Sequence, residues 1–209
     1  MTNKEEFLKN LKDLGGNNFE SFYKGINGSI LRECKFKMDA NSWSEARTAG
    51  YTFEEVINNT SDKVFNLLKF ITIGQTFLDP INNNIFINSI KISSLFRPSG
   101  SVVHTDGRGL DITIMTLSIS SSEIKFNNVA GGIQEPALAL QIRKNLMSKQ
   151  DVVQIFSPWW IEDGRVAGRA NDRTSSNDVI HLTHLHFTLK KDSFFVRFKR
   201  AMVKLFTFR

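Results

Sequence analysis

The segment "HTDGRGLD" runs from His104 to Asp111, and "HLTHLH" runs from His181 to His186. Together they hold all four histidines of the chain: His104, His181, His184 and His186. Imidazoles and carboxylates bind metal ions and move protons near neutral pH. Read as a strand over "VIHLTHLHFTL", the second segment places His184 and His186 two residues apart, on one face. His181 lies an odd number of residues away. It joins them only from a loop before the strand or from a bulge. In the first segment Gly107 and Gly109 allow a tight reversal. His104 and Asp111 then approach one point from either side of the turn. Two imidazoles and a carboxylate suit a catalytic Zn²⁺ site that keeps a fourth position for water. Zinc lowers the pKa of that water toward ~7 and polarises a carbonyl. A further imidazole beside the site can move the proton or stabilise the oxyanion.

These groups need elements to position them. Residues 5–14 have helical spacing and end at Gly15-Gly16. Residues 17–59 are mixed, with "SILRECKFKM" strand-like and "SWSEARTAGYTFEEVINN" suggesting short helices. "TSDKVFNLLKFITIGQTFLDPI" predicts a helix capped by Thr60, Ser61 or Asp62 and ended by Pro80. Strands are expected over "IFINSIKISSLF" and "LDITIMTLSIS", the latter alternating Leu110, Ile112 and Ile114 with Asp111, Thr113 and Met115. Residues 121–135 read as a loop, and "EPALALQIRKNLMSK" as a helix with Pro136 in its first turn. "VVQIFSPWW" predicts another strand, followed by a polar loop over 162–178. Of the paired tryptophans, one of Trp159 and Trp160 is expected in the core, and the other can wall a groove. The order of elements predicts an α+β fold, a small antiparallel central sheet with flanking helices and the histidines at strand edges.

Composition narrows the setting. A chain of 209 residues suffices for one sizeable domain. Cys34 is the sole cysteine, so no intrachain disulfide forms. The opening "MTNKEEFLKNLKDLGG" lacks the apolar run of a secretion signal, which predicts synthesis in the cytoplasm. Residues 190–209 hold seven Lys or Arg and one acid, so the net charge of +6 resides in this tail and the remainder is balanced. Phe194, Phe195, Phe198, Phe206 and Phe208 accompany those charges. Such a tail can lie on an anionic membrane or wall polymer, or pack as a last element on the domain. Charge confined to the tail, with no binding module, argues against nucleic acid. The organisation expected is an N-terminal helical or mixed segment (1–59) packed on the same domain, a core (60–189) and the tail (190–209).

"HTDGRGLD" resembles the H-x-x-G-x-[AG]-x-D motif of the zinc peptidases that cut peptidoglycan peptides. These are the D-Ala-D-Ala peptidases and their lysostaphin-like and murein-endopeptidase relatives. "HLH" resembles their second motif, and "FLDPINNNIFINSIKISSLFRPSG" their approach to the site. The resemblance covers roughly residues 62–189. It implies that His104, Asp111 and His186 ligate zinc and that Arg97 faces the substrate carbonyl or carboxylate. One position departs from the pattern. The D-Ala-D-Ala branch has an acid three residues before the last zinc histidine, where this chain has Thr183. H-x-x-H-x-H instead resembles the penicillin-insensitive murein endopeptidases. His184 is then assigned as proton shuttle or oxyanion stabiliser and His181 as its partner, with Glu162 and Asp178 as candidate substitutes for the acid. The implied activity is zinc-dependent hydrolysis of a peptidoglycan peptide bond by a monomer, endolysin-like, acting on the wall after release. Two other readings stand beside it: a non-catalytic zinc-stabilised wall-binding or phage structural protein, and a membrane-active protein that works through its tail.

Overall fold

The computed structural model describes residues 1–78, 84–118, 122–149, 151–163 and 166–192. The basic aromatic tail from 193 onward, and Pro80 with it, lie outside the described residues. The chain starts with α1 (Asn3–Lys9), β1 (Lys12–Gly15), β2 (Asn18–Asn27), β3 (Ile30–Met38), α2 (Ser44–Thr48) and α3 (Phe53–Asn59). Then come α4 (Asp62–Lys69), a π-helical turn (Phe70–Gly74), β4 (Phe77–Leu78), β5 (Asn84–Ile85) and β6 (Ile87–Ser94). The site region begins with α5 (Val102–Thr105) and β7 (Gly109–Leu117), followed by β8 (Glu123–Lys125), α6 (Ala137–Met147) and β9 (Val152–Phe156). It closes with β10 (Trp160–Asp163), β11 (Val166–Ala170), α7 (Ser176–Ile180) and β12 (Leu185–Leu189).

The fold is α+β, but its sheet is not small. Among the described residues ten strands join, in the order β1-β2-β3-β6-β7-β12-β9-β10-β11, with β8 beside the far half of β7. β1, β2, β8 and the β10–β11 hairpin account for the difference. β2 pairs with β3, the strand expected over "SILRECKFKM", and β3 pairs with β6 in the sheet's one parallel pairing among the described strands. The end of β10 and all of β11 form within the span expected as a polar loop, 162–178. β2–β3 alternates imperfectly, and β10–β11, with Trp160-Ile161-Glu162-Asp163 and Val166-Ala167-Gly168-Arg169-Ala170, does not alternate, so both signal weakly beside β7.

The N-terminal elements share one core with the rest. Phe7, Tyr23, Phe36 and Phe65 pack ring to ring at 5.1–5.8 Å. Each buried Phe contributes roughly 1.5–3 kcal/mol. The same cluster holds Leu110, Ile112, Ile155 and Phe187 from the central strands and Ile142 from α6. The helix expected over 60–81 ends early. Ser61 caps it, and after Lys69 a single π turn takes over, with Thr72 Oγ1 donating to the Leu68 carbonyl at 2.8 Å. Among the described residues no helix is long and apolar enough to cross a membrane.

Candidate metal centre

Strand register builds the centre. Asp111 on β7 pairs with Ser94 of β6 on one side and with His186 of β12 on the other. Paired residues share a face, so Asp111 and His186 stand side by side, opposite the core residues Leu110 and Phe187. His186 Nδ1 lies 2.5 Å from Asp111 Oδ1. His104, on the short α5, brings its Nε2 to 3.3 Å from Asp111 Oδ2. His184, in the turn before β12, places Nε2 3.6 Å from Asp111 Oδ1. His181 sits not on a strand but at the C-terminal end of α7, which lets it join the others. Its ring centre is 5.1 Å from that of His184 and 5.2 Å from that of His186.

The two glycines of "HTDGRGLD" have separate jobs. Gly107 has φ +69°, and a Cβ there would overlap the Asn59 carbonyl oxygen. Its own carbonyl accepts from Ser61 N–H at 2.6 Å, docking the turn on the start of α4. Gly109 lies beneath the His104 ring, where a Cβ would come within 2.7 Å of the imidazole. Gly109→Ala is therefore expected to rotate His104 away from Asp111. Metal affinity should fall about tenfold or more, with a smaller loss of stability than any change at Gly107. A competitive chelator titration of the variant checks this, and unchanged affinity would contradict it.

Hydrogen bonding to backbone carbonyls fixes the nitrogen that two of the imidazoles offer. His104 Nδ1 is 2.7 Å from the Leu95 carbonyl, and His181 Nδ1 is 2.6 Å from the Asn177 carbonyl. A carbonyl only accepts, so both Nδ1 atoms carry hydrogen, and Nε2 is the nitrogen left to face the other groups of the site. His104 Nε2 faces Asp111 Oδ2, a carboxylate oxygen that only accepts. A proton or a metal cation must stand between them. Outer hydrogen bonds of this kind orient metal-bound histidines. His104, Asp111 and His186 are all buried, and their ligand atoms lie within 4.8 Å of one another. These residues can hold a metal ion. His181, His184 and His186 form a second such group that shares His186.

Electrostatics favour the ionised carboxylate. Burial alone would raise the Asp111 carboxyl, but hydrogen bonds with His104 and His186 outweigh it and hold it well below the usual range. Burial, reinforced by His186, pushes His181 down to about 4. Burial likewise lowers His184 against the pull of Asp111.

The other residues singled out in the sequence divide. Arg97 reaches the site: it lines a groove with Asp111, Ser94, Ser42, Trp43 and Glu45. Glu162 does not. It pairs with Ile155, which pairs with Phe187, and so occupies the sheet face opposite His186. Asp178 is tied up. Arg169 clamps both its oxygens at 2.7 Å, and Ser175 Oγ donates at 2.6 Å. Trp159 is core, as expected for one of the pair. Trp160 does not wall the groove. Its ring lies 4.6 Å under the Arg143 guanidinium of α6, and Trp43 takes the wall instead. Glu45 and Trp43 went unnoticed because "SWSEAR" is far from both motifs and carries no spacing signal.

The Arg169–Asp178 pair ties β11 to α7, whose C-terminal end carries His181. The hydrogen bond from Arg169, partly opposed by burial, depresses the Asp178 carboxyl below its ordinary value. A depressed carboxyl gives stability that is full above the unfolded value, ~3.9, and is lost as pH falls through the folded one. Arg169→Met is expected to move the acid-unfolding midpoint to higher pH, as followed by circular dichroism. An unmoved midpoint would deny the pair this role.

No family model, curated protein or solved structure matches this chain.

Proposed function

We propose that this protein is a zinc-dependent peptidase that hydrolyses a peptide bond in bacterial peptidoglycan. The observation that carries the reading is the convergence of His104, Asp111 and His186, from two distant motifs, into one buried group with its donor atoms turned inward. These three residues would hold the zinc. When bound, zinc supplies Lewis-acid chemistry, activating water and polarising a carbonyl. His184, neutral and half-buried beside Asp111, accepts a proton at Nε2 and returns one to the leaving amine. His181, fixed by Asn177, positions His184. Arg97 stabilises negative charge on the carbonyl oxygen. The biological setting proposed is endolysin-like: a monomer made in the cytoplasm that reaches the wall after release, its basic tail touching wall or membrane and no nucleic acid involved.

The test is mass spectrometry of muropeptides after incubation of the protein with isolated peptidoglycan. New amine and carboxylate ends should appear. They should vanish with a chelator and in His186→Ala. Intact muropeptides from metal-loaded protein would overturn the reading. One observation favours a second reading, a zinc-stabilised wall-binding or phage structural protein: with Thr183 at the expected acid and Glu162 and Asp178 both unavailable, no acid named from the sequence serves as base. That protein would retain zinc and bind wall without cutting it.

A further inference from the structure

The buried imidazoles differ in the kind of outer partner they have. His104 and His181 lean on backbone carbonyls, which accept and never donate. His186 leans on a hydroxyl. Its Nε2 lies 3.0 Å from Thr188 Oγ1, and a hydroxyl both donates and accepts. Thr188 follows His186 by two positions on β12, so the two side chains rise from one face. The residue of β7 paired with Thr188 is Gly109, which has no side chain to intervene. Thr188 is 2% exposed and His186 6%. A ring nitrogen buried there without a partner would cost stability.

Three rings hold the His186 imidazole in place: Phe156 stacked at 5.9 Å, His104 at 5.3 Å and His181 at 5.2 Å. The ring keeps Nδ1 toward Asp111 and Nε2 toward Thr188, and only its hydrogen can change places. Nδ1 lies 2.5 Å from Oδ1 of the ionised Asp111, so without an ion it carries the hydrogen. In that tautomer Nε2 has a lone pair and accepts the hydrogen of the Thr188 hydroxyl. An ion held by Asp111 and His186 needs the lone pair at Nδ1 instead. The ring hydrogen is then on Nε2 and points at Thr188 Oγ1. One proton leaves Nδ1 and one arrives at Nε2, so the ring has the same charge in both tautomers. The hydroxyl has no other hydrogen-bond partner among the described residues, and rotation about its Cβ–Oγ1 bond turns it from donor to acceptor.

We propose that Thr188 is the positioning residue for His186 in metal binding: its hydroxyl accepts the Nε2 hydrogen and holds the tautomer that leaves Nδ1 for the ion. A carbonyl in its place would satisfy the loaded form alone. The hydroxyl satisfies the empty form as well, so the centre takes up and gives up its ion without leaving a buried ring nitrogen unpaired. This inference rests on the metal-holding part of the function proposed above and not on the peptidase activity.

Two variants of the full chain test it. Thr188→Val keeps the shape of the side chain and removes the hydroxyl, while Thr188→Ser keeps the hydroxyl and removes the methyl. Zinc affinity is read by competitive chelator titration. Thr188→Val should bind zinc about tenfold or more weakly, and Thr188→Ser should stay within about threefold of the wild type. A role in packing alone predicts the opposite order. NMR of wild-type protein labelled at the histidine nitrogens reads the tautomer directly: His186 should carry its hydrogen on Nδ1 without zinc and on Nε2 with it. Unaltered affinity in Thr188→Val, an equal loss in Thr188→Ser, or a His186 hydrogen that stays on one nitrogen would each overturn the proposal. The NMR result decides even if Thr188→Val does not fold. Wild-type protein that binds no zinc would sink this proposal and the metal centre together. Zinc bound with indifference to Thr188 would sink this proposal alone. The expected pattern beside intact muropeptides would sink the peptidase reading alone.

Discussion

Asp111→Asn protein is expected to fold, to retain less than about a tenth of the wild-type metal, and to release muropeptides at least ~10³-fold more slowly. The substitution keeps the shape of the side chain and removes its charge. In the native site that charge is shared by three imidazoles: His104 faces Oδ2, while His184 and His186 face Oδ1. An amide ligates weakly, and it leaves the lone pairs of the imidazoles without an anion to gather a cation among them. Elemental analysis of the purified variant reads metal content, muropeptide release reads activity, and a thermal melt shows that the fold persists. Wild-type metal content in the variant would move the ion out of the His104–Asp111–His186 group. The overlapping set of His181, His184 and His186 would then be its place.

Gly107→Ala is expected to cost about 2–4 kcal/mol of stability, read as a lower urea midpoint. Two costs add. The backbone at Gly107 has φ +69°, which a Cβ disfavours, and the added carbon would meet the Asn59 carbonyl oxygen. Neither obstacle is a flexible side chain that can swing aside. The damage spreads to the candidate metal centre, because the Gly107 carbonyl anchors the turn to Ser61 and the His104 carbonyl accepts from the Gly107 N–H at 2.9 Å. A midpoint equal to that of the wild type would show that the turn relaxes by another route.

The centre was legible in the sequence to an unusual degree, for a local reason. Alternation along β7 sets Asp111 opposite Leu110 and Ile112 before any tertiary structure is known, whereas His184 lies in the turn before β12 and reaches Asp111 from outside the strand. The glycines between His104 and Asp111 declare a reversal. His181 could not be placed by the same rule, since "VIHLTH" reads as strand while Ser175 and Asp178 cap a short helix there. Sheet size was missed at both ends. Phe19, Ser21 and Tyr23 alternate with Glu20, Phe22 and Lys24, a mixed pattern whose strand character depends on β3 and β6 beside it. Glu45 was beyond reach, because only the tertiary packing of Trp43 and Ser42 brings it to the groove. Asp178 and Glu162 illustrate the converse. Proximity in sequence to the histidines made them candidates, and pairing with Arg169 or one step of register removed them.

The contact between Asp111 and His186 closes a loop across 75 residues of chain. In a protein whose single cysteine is buried and free, no covalent bond restricts the unfolded chain in this way. An ion seated on these two side chains and on His104 would act as a reversible cross-link between β7 and β12. Where a disulfide limits the freedom of the denatured chain, such an ion would act on the other side of the equilibrium, favouring the native state that it binds. The strength of that link would follow the supply of free metal, since a ligand that binds only the native state stabilises it by mass action. The molecule would be fastened where metal is available and loosened where it is scarce, so that its lifetime, and not only its chemistry, would be set by the surroundings it enters.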